Sequence, residues 1–274
     1  MTIDAIVINL ESSTERREFQ EIQLDDLGIT MHILNAVTVA GIDAHKAGIT
    51  FNAWERPLLS TEKSCFLSHY NAWREVIARG KPTLILEDDA LLSSRTPNFL
   101  LAIEGLAQVE HVTLETRARK KLIAKRHIDV GIGCIAPLIQ DRTGAAAYVL
   151  WPAGARKLCE KAEREGGCLA DAFISNFCGL LSFQSLPAFA IQSDRAKWYG
   201  ITCILKTYSY IQQSTQTGQT SVQGKEWWRY KKIRVKSQIR QALKYIFHFC
   251  SSSRTLIHLD TSGYTNSRDS KGET

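Results

Sequence analysis

The N-terminal third of the chain carries apolar blocks separated by polar turns, and their spacing predicts alternating strands and helices. Ala5 to Leu10 is a short apolar run that predicts a strand. A cap-rich turn at residues 11–17 opens a helix that is expected to reach about Leu27. Met31 to Val39 predicts a second strand. This order predicts a parallel strand pair joined by a right-handed crossover.

A second helix and a third strand continue the alternation. Residues 43–59 have no clear period and predict a long loop, which in a compact domain is often functional. Phe66 and Trp73 share one face of a helix predicted from about Thr61 to Ala78. The apolar run from Leu84 to Leu86 predicts a buried strand. Three strands alternating with two helices are typical of a nucleotide-binding α/β fold.

The rest of the chain is less regular. A helix is predicted over residues 98–109, a strand over 144–151 and a helix over 152–162, with Pro152 in its first turn. The length of 274 residues favours one large α/β domain with a tail over two equal domains. We therefore expect a single domain over residues 1–224.

The C-terminal segment differs in composition from this domain. Lys225 to Thr274 holds eleven Lys or Arg residues and four acidic residues, whereas the whole chain has a net charge of only +6. Apolar and aromatic residues interleave with Lys and Arg over residues 225–250, which predicts an amphipathic helix. Two interpretations stay open: the helix lies on an anionic membrane surface, or it docks on its own domain. Residues 251–274 are polar and are expected to be disordered.

Composition also disfavours several classes of protein. Because the chain has no apolar run of about eighteen residues and no basic export signal, we expect a cytoplasmic protein. It would be peripheral on the inner face of the cytoplasmic membrane if the basic segment binds lipid. Seven dispersed cysteines without a C-x-x-C pair predict reduced thiols rather than disulfides or a zinc site. Nothing outside the basic segment favours nucleic-acid binding, and none is expected.

Three consecutive carboxylates, Glu87, Asp88 and Asp89, follow the third predicted strand. Open α/β sheets bind their ligands at the carboxyl ends of strands. Adjacent carboxylates repel one another and lose hydration on burial, so one interpretation is a site for a hard divalent cation, Mg²⁺ or Mn²⁺. The other is a helix N-terminus, with Asp89 capping a helix that begins near Ala90.

Two further polar features lie in the middle of the chain. Asp171 stands in the apolar stretch Cys-Leu-Ala-Asp-Ala-Phe-Ile, where burial would raise the pKa of its carboxyl group. It could act as a base, or it could cap a helix that begins at Ala172. Arg117 to Arg126 holds six basic residues, which form either a solvated face or a mobile loop that receives an anionic substrate.

The polar motifs follow one another in a recognisable order over residues 3–175. They are Ile8-Asn9-Leu10 with Ser13 and Arg16-Arg17, Asn35-Ala36-Val37, Glu62-x-x-Cys65-x-x-Ser68-His69 with Trp73, Leu86-Glu87-Asp88-Asp89, Gly144-x-x-x-Tyr148, and Asp171 in an Asp-Ala-Phe segment. In this order they resemble glycosyltransferase family 25, which includes bacterial lipooligosaccharide galactosyltransferases. The chain departs from the family at Thr61 to Cys65, where Gly-Glu-x-Gly-Cys is usual, and little matches beyond Phe177.

The resemblance implies a GT-A-like α/β fold, with a mixed, mostly parallel sheet flanked by helices. It implies inverting transfer of a hexose, most often galactose, from a UDP-sugar to a glycan or glycolipid hydroxyl, with Mn²⁺ or Mg²⁺ as cofactor. Glu87 and Asp89 are the predicted metal ligands, since residues two apart on an extended segment point to one side. Asp88 would point away from them, toward the sugar or the backbone. The resemblance further implies Asp171 as the base and substrate contacts at Asn9, Arg16, Ser68, His69, Asp88 and Tyr148.

Two other functions are compatible with these residues. A non-catalytic sugar-nucleotide-binding or membrane-tethered adaptor would keep the carboxylates and lose the acceptor site, and the two missing glycines before Cys65 fit that interpretation. Clustered carboxylates also serve metal-dependent phosphoryl transfer, although the chain has no Walker-type glycine loop.

Overall fold

Ten strands form the main sheet, and six α-helices accompany it in the described part of the chain. The structure is a computed structural model that describes residues 3–45, 47–141, 144–203, 205 and 225–264. The strands are β1 Asp4–Asn9, β2 Met31–Asn35, β3 Thr83–Glu87, β4 Ala90–Leu92, β5 His111–Thr113, β6 Lys120–Ala124, β7 Ile128–Asp129, β8 Cys134–Gln140, β9 Ala147–Leu150, β10 Ser182–Leu186, β11 Ala190–Gln192 and β12 Ser252–Leu256. The helices are α1 Thr14–Asp26, α2 Ser60–Arg79, α3 Thr96–Ile103, α4 Pro152–Glu165, α5 Ala170–Ser175 and α6 Lys225–His248.

The main sheet is mixed. Its strands lie in the order β12-β6-β8-β10-β5-β9-β3-β1-β2, and β7 pairs with β8. β1 pairs in parallel with β2 and β3, and β5 pairs in parallel with β10. Because the other pairs are antiparallel, seven of the ten strands run in one direction, opposite to β8, β9 and β12. The predicted fold class, a mixed sheet of mostly parallel strands flanked by helices, is confirmed. Strands β4 and β11 form a separate antiparallel pair.

Side chains alternate between the two faces of the central strands, as an extended backbone requires. Val7 and Leu86 point into a core that also holds Phe99 of α3. Ile6 points into the opposite core, which holds Trp73 of α2. Burying an apolar side chain of this size contributes about 1.5–3 kcal/mol, so a sheet that is apolar on both faces needs helices on both. Helices α1 and α3 cover one face, and α2, α4 and α5 cover the other.

The turn from α2 into β3 brings the three carboxylates to the edge of the sheet. Helix α2 ends at Gly80, whose φ of 65° lies in the left-handed region that favours glycine. Strand β3 then runs beside β1 as far as the pair Ile8 and Glu87. The residues after Glu87 do not form a helix, because Ala90–Leu92 is strand β4. The helix-cap interpretation of the carboxylates is therefore wrong.

The predicted N-terminal elements are present, with some differences in extent. Strand β2 ends at Asn35, earlier than predicted, and Val39–Gly41 forms a 3₁₀ turn. The helix predicted over residues 98–109 is α3, which is shorter and begins earlier, at Thr96. Strands β5 to β8, β10 and β11 were not predicted. Most of them span two to five residues, which is too short for an alternating pattern to stand out.

The segment expected to be disordered contains a strand. Strand β12 pairs antiparallel with β6, and Leu259 forms a bridge with Ala188. Ile257 and Leu259 are buried, so this stretch adds apolar contacts as well as backbone hydrogen bonds. The expectation of disorder is wrong for residues 252–264, and the sheet extends beyond the predicted domain boundary at residue 224. Residues 265–274 lie outside the described part of the chain.

Helix α6 corresponds to the predicted basic helix. It contacts the domain beside β8, where Gln140 donates a hydrogen bond to Gln241 with an Nε2 to Oε1 distance of 3.2 Å. Within the residues that the structure describes, no helix combines the length and the apolar character needed to span a membrane.

Candidate functional site

Polar residues gather where the carboxyl ends of β1, β3 and β5 meet at one edge of the sheet. Asn9 is the last residue of β1, Glu87 is the last residue of β3, and Glu115 follows β5 by two residues. The three strands run in the same direction, so their carboxyl ends share this edge. It is the edge at which open α/β sheets bind ligands.

The carboxylates of Glu87 and Asp89 converge on a single atom. Nε2 of Gln192 donates to Oε2 of Glu87 at 2.9 Å and to Oδ1 of Asp89 at 3.4 Å. The two carboxyl groups therefore face one side of the segment, as their spacing of two residues predicts. Gln192 is the last residue of β11. It was not identified from the sequence, because no motif near it in the chain indicates a functional site.

Asp88 points to the opposite side and binds the N-terminal β-α unit. Its Oδ2 accepts a hydrogen bond from Asn9 at 2.9 Å, and its Oδ1 forms an ion pair with Arg16 at 2.9 Å. Gln20 donates to the backbone carbonyls of Asp88 and Ala90. The sequence predicted Asn9, Arg16 and Asp88 as substrate contacts. The structure brings the three together, with both Asp88 oxygens engaged by protein groups.

A buried chain of hydrogen bonds runs behind Glu87. Trp73 donates through Nε1 to the hydroxyl of Tyr148 at 2.9 Å, and that hydroxyl lies 3.0 Å from Nδ1 of His69. Nε2 of His69 lies 3.3 Å from Oε1 of Glu87. Because an indole N–H can only donate, the consistent assignment has Tyr148 donating to Nδ1 and His69 donating from Nε2 to Glu87. His69 and Tyr148, predicted as substrate contacts, thus orient Glu87 from the protein interior.

Ser68 joins two parts of the scaffold, and its predicted place beside the substrate stays a prediction. Its hydroxyl accepts a hydrogen bond from the backbone N–H of Val37 and donates to the carbonyl of Ser64, both at 2.8 Å. The residue is buried and ties the chain after β2 to helix α2. No described contact joins Ser68 to the carboxylates.

The electrostatic environments of the two converging carboxylates differ. Burial alone would raise the pKa of Glu87, but the hydrogen bond from His69 and the charge of Arg117 lower it overall. Burial, followed by repulsion from Glu87 and Asp88, raises the pKa of Asp89 to about 7. The pair therefore has an unfavourable negative charge that a cation between the two carboxylates would relieve.

Asp171 lies in the first turn of α5, near enough to Glu87 for that charge to act on its carboxyl group. Burial is the main cause that raises the pKa of its carboxyl to about 6, and the negative charge of Glu87 adds to it. Its Oδ1 accepts a hydrogen bond from the backbone N–H of Ala172 at 2.7 Å. The helix begins at Ala170, so Asp171 is a first-turn residue and does not cap a helix starting at Ala172.

The basic cluster at residues 117–126 does not act as one unit. Arg117 hydrogen-bonds Oε1 of Gln192 and pairs with Asp194 at 3.1 Å. Lys121 belongs to β6, is buried, and pairs with Asp141 at 2.6 Å. A single mobile loop does not describe this cluster, because β6 divides it, whereas Arg119, Lys120, Lys125 and Arg126 are exposed to solvent.

Glu115 is a second buried carboxylate near the site that the sequence did not reveal. Its Oε2 accepts a hydrogen bond from the backbone N–H of Ala146 at 3.1 Å, while Oε1 has no partner among the described residues. Burial raises the pKa of Glu115 to about 8, although Lys121 and Arg117 act in the opposite direction. The residue follows a three-residue strand, so its flanking sequence carries no strong pattern.

Among the described residues, two sets of side chains could hold a metal ion. Glu87 and Asp89 offer only carboxylate oxygens, which suit Mg²⁺ and Mn²⁺. Cys65, His69 and Glu87 offer ligand atoms within 4.8 Å of one another, a sulfur, nitrogen and oxygen set that suits a softer ion. Both ring nitrogens of His69 already have hydrogen-bond partners, and burial raises the pKa of the Cys65 thiol well above its ordinary value. The carboxylate pair is the better fit.

Residues 2–174 match the family model described as glycosyltransferase family 25 (LPS biosynthesis protein). The chain is similar to lipooligosaccharide biosynthesis protein lic2B of Haemophilus influenzae, with 28% identity over 153 residues, which are 53% of this chain and 58% of that protein. It is also similar to procollagen galactosyltransferase 1 of Danio rerio, with 33% identity over 96 residues, which are 31% of this chain and 16% of that protein.

Among solved structures, a Drosophila β-1,4-galactosyltransferase 7 mutant in complex with manganese, UDP-Gal and xylobiose matches 82% of this chain and 83% of its own chain. The TM-score is 0.37 and the sequence identity is 12%. The chain thus spans 58% of the Haemophilus relative and 16% of the Danio relative. The family model, in contrast, matches residues 2–174 of 274, which is more than half of the chain. The protein belongs to glycosyltransferase family 25.

Proposed function

We propose that this protein transfers a hexose, galactose by preference, from a UDP-sugar to a hydroxyl of a glycan or glycolipid acceptor, with inversion at the anomeric carbon. The observation that carries the proposal is the convergence of Glu87 and Asp89 on Nε2 of Gln192, at the ligand-binding edge of the sheet. Family membership supports glycosyl transfer. The names of the relatives support galactose and lipooligosaccharide or another surface glycan.

We further propose that Glu87 and Asp89 hold a divalent cation, Mn²⁺ or Mg²⁺. The donor set fits such an ion, since both groups are carboxylates, both are partly buried, and Asp89 has a raised pKa beside Glu87. When bound, the ion would stabilise the negative charge that develops on the leaving diphosphate. His69 and Gln192 hold the Glu87 carboxylate from two sides and so keep it in a fixed orientation.

In this proposal Asp171 is the general base. It takes the proton of the acceptor hydroxyl as that oxygen bonds to the anomeric carbon, while the bond from the anomeric carbon to the diphosphate breaks and UDP leaves. A pKa of about 6 leaves the carboxylate mostly ionised at neutral pH and still basic enough to accept a proton.

We propose that Arg16 contacts the diphosphate of the donor. Its side chain is 20% exposed beside Asp88, whereas Asn9 is 1% exposed and its amide donates to Asp88. We therefore propose that Asn9 positions Asp88 and Arg16. His69 and Tyr148 do not contact substrate in this proposal. A cytoplasmic location stays a prediction.

The experiment is a UDP-release and product assay over a panel of UDP-sugars and glycan acceptors, with and without Mn²⁺. We expect metal-dependent product formation that falls at least about 100-fold in Asp89→Ala. Asp25→Ala, a matched change at an exposed position of α1, should keep full activity. Full activity of Asp89→Ala would disprove the metal site. Binding of a UDP-sugar without product formation from any acceptor would favour the non-catalytic adaptor.

A further inference from the structure

Helix α6 presents a stripe of large apolar side chains to solvent. Trp228 is 58% exposed, Ile239 is 54% exposed and Ile246 is 65% exposed. Since an α-helix turns by about 100° per residue, positions 228, 235, 239 and 246 lie on nearly the same line along the helix. The apolar stripe of α6 consists of Trp228, Val235, Ile239, Leu243 and Ile246, all exposed. An exposed apolar surface of this extent is unusual on a soluble monomer and marks a binding site.

The opposite face of α6 lies against the domain and is mostly polar, with Ile233 as an apolar member. Gln241 accepts a hydrogen bond from Gln140 at 3.2 Å, and Lys244 donates to the carbonyl of Ile139 at 3.3 Å. Between the helix and the domain lies a cavity of about 240 Å³, and Ser237 is among its lining residues. An ordinary amphipathic helix packs its apolar face on the core. Helix α6 has the reverse orientation, so docking on its own domain does not account for the apolar stripe.

Cationic side chains flank the apolar stripe on both sides. Helical geometry puts Lys231 and Arg234 on one side and Lys236 and Arg240 on the other, and all four are exposed. Nζ of Lys231 lies 4.6 Å from the ring centroid of Trp227 and 5.3 Å from that of Trp228. Between Lys225 and Cys250 the sequence holds eight Lys or Arg residues and one acidic residue. The surface of α6 is therefore apolar at its centre and positive at its rims.

We propose that the apolar stripe of α6 docks into the interface of an anionic phospholipid membrane, with the helix parallel to the membrane plane. Apolar side chains would enter the boundary between headgroups and acyl chains, and the flanking Lys and Arg would contact anionic headgroups. A second copy of this chain is a poorer occupant, because pairing two such stripes would bring their cationic rims together. This inference goes beyond the proposed function and does not depend on it, because it rests on α6 alone.

The test is flotation of the full chain with two kinds of vesicle, one of pure phosphatidylcholine and one with about 30% phosphatidylglycerol. We expect binding to the anionic vesicles and a loss of binding as NaCl is raised to about 0.5 M. In the double variant Ile239→Glu/Ile246→Glu, the partition coefficient should fall at least about tenfold. The matched control is Ile22→Glu/Leu101→Glu, which changes the net charge equally at exposed apolar positions of α1 and α3 and should bind like the wild type.

Circular dichroism and thermal melting of both double variants establish that the fold is retained, as expected for substitutions at exposed positions. Undiminished binding of Ile239→Glu/Ile246→Glu would overturn the proposal, and so would equal binding to the two kinds of vesicle. Failure of the wild type to float, together with a dimer in sedimentation analysis that Ile239→Glu/Ile246→Glu dissociates, would overturn it in favour of self-association.

Discussion

The side-chain amide of Gln192 donates a hydrogen bond to Glu87, at 2.9 Å, from a position 105 residues further along the chain. The same nitrogen reaches Asp89, and Arg117 binds the carbonyl end of the amide, which sets its direction. Gln192 thus connects the carboxylate pair to a cation on a neighbouring segment. It supports the geometry of the pair without itself carrying a charge.

From this relationship we predict that Gln192→Ala lowers turnover while the fold persists. Without the amide, Glu87 and Asp89 lose a shared donor and their side chains become less well positioned, which costs about 10- to 100-fold in rate. Gln238→Ala, at an exposed position of α6, is the control and should have no effect. The measurement is kcat with saturating donor and acceptor. Wild-type turnover in Gln192→Ala would mean that Gln192 has no part in positioning the pair.

The proposed base makes the reaction dependent on pH. Asp171 acts in its ionised form, and its pKa is raised to about 6, so kcat/KM should fall by about tenfold per pH unit below pH 6. Asp171→Asn should retain donor binding and lose about 10²- to 10⁴-fold in transfer, and at saturating Mn²⁺, which keeps Asp89 ionised, it should lack the acidic limb of the pH profile. Asp26→Asn, at an exposed position, serves as the control. An acidic limb that persists in Asp171→Asn would assign the limb to another group.

Glu115 makes stability dependent on pH in a defined direction. Its pKa is about 8 in the folded protein against an ordinary value of 4.5, so the folded state binds its proton more tightly than the unfolded state. The stability from this group is fully present below the unfolded pKa and is lost as pH rises through about 8. Glu115→Gln should therefore raise the free energy of unfolding by about 1 kcal/mol or more at pH 8 and have little effect at pH 4.5. Urea unfolding at the two pH values measures this, and an equal effect at both would contradict it.

The buried hydroxyl of Tyr148 couples stability to the site. Tyr148→Phe leaves the indole N–H of Trp73 without its acceptor, which should cost about 1–3 kcal/mol, and frees the His69 ring to reorient beside Glu87. We expect a lower melting temperature together with a loss of about tenfold in turnover. The matched variant is Tyr70→Phe. The hydroxyl that it removes donates to Glu163 at 2.8 Å and makes no described hydrogen bond to Glu87, Asp88 or Asp89. That variant should lose stability and keep turnover, and equal effects of the two variants on turnover would argue against the role of His69.

Local sequence patterns were sufficient for the first half of the fold. The apolar runs of β1 and β3, and the helical face that carries Phe66 and Trp73, are periodicities that depend on residues a few positions apart. The spacing of Glu87 and Asp89 likewise predicted that the two side chains point to one side and Asp88 to the other. Each of these features follows from backbone geometry within one element.

Other features depend on which segments meet in space. Gln192 reaches Glu87 because β11 packs beside β4, and Asp88 binds Arg16 because α1 crosses the edge of the sheet. Strand β12 is ordered because it pairs with β6, although the composition of its segment is polar. Such pairings depend on complementary strand edges and on buried surfaces that are far apart in the chain. A stretch of a few residues therefore does not predict them.

In helix α6, likewise, the sequence determines some features and tertiary contacts determine the others. Its amphipathic pattern and positive charge can be read from residues 225–250 alone, and they are equally compatible with a helix docked on its domain and a helix on a membrane. The direction of the apolar stripe depends on how the helix is attached, through Gln241 and Lys244 on its polar face. Periodicity defines the faces of a helix, but only contacts with the rest of the protein orient one of them toward solvent.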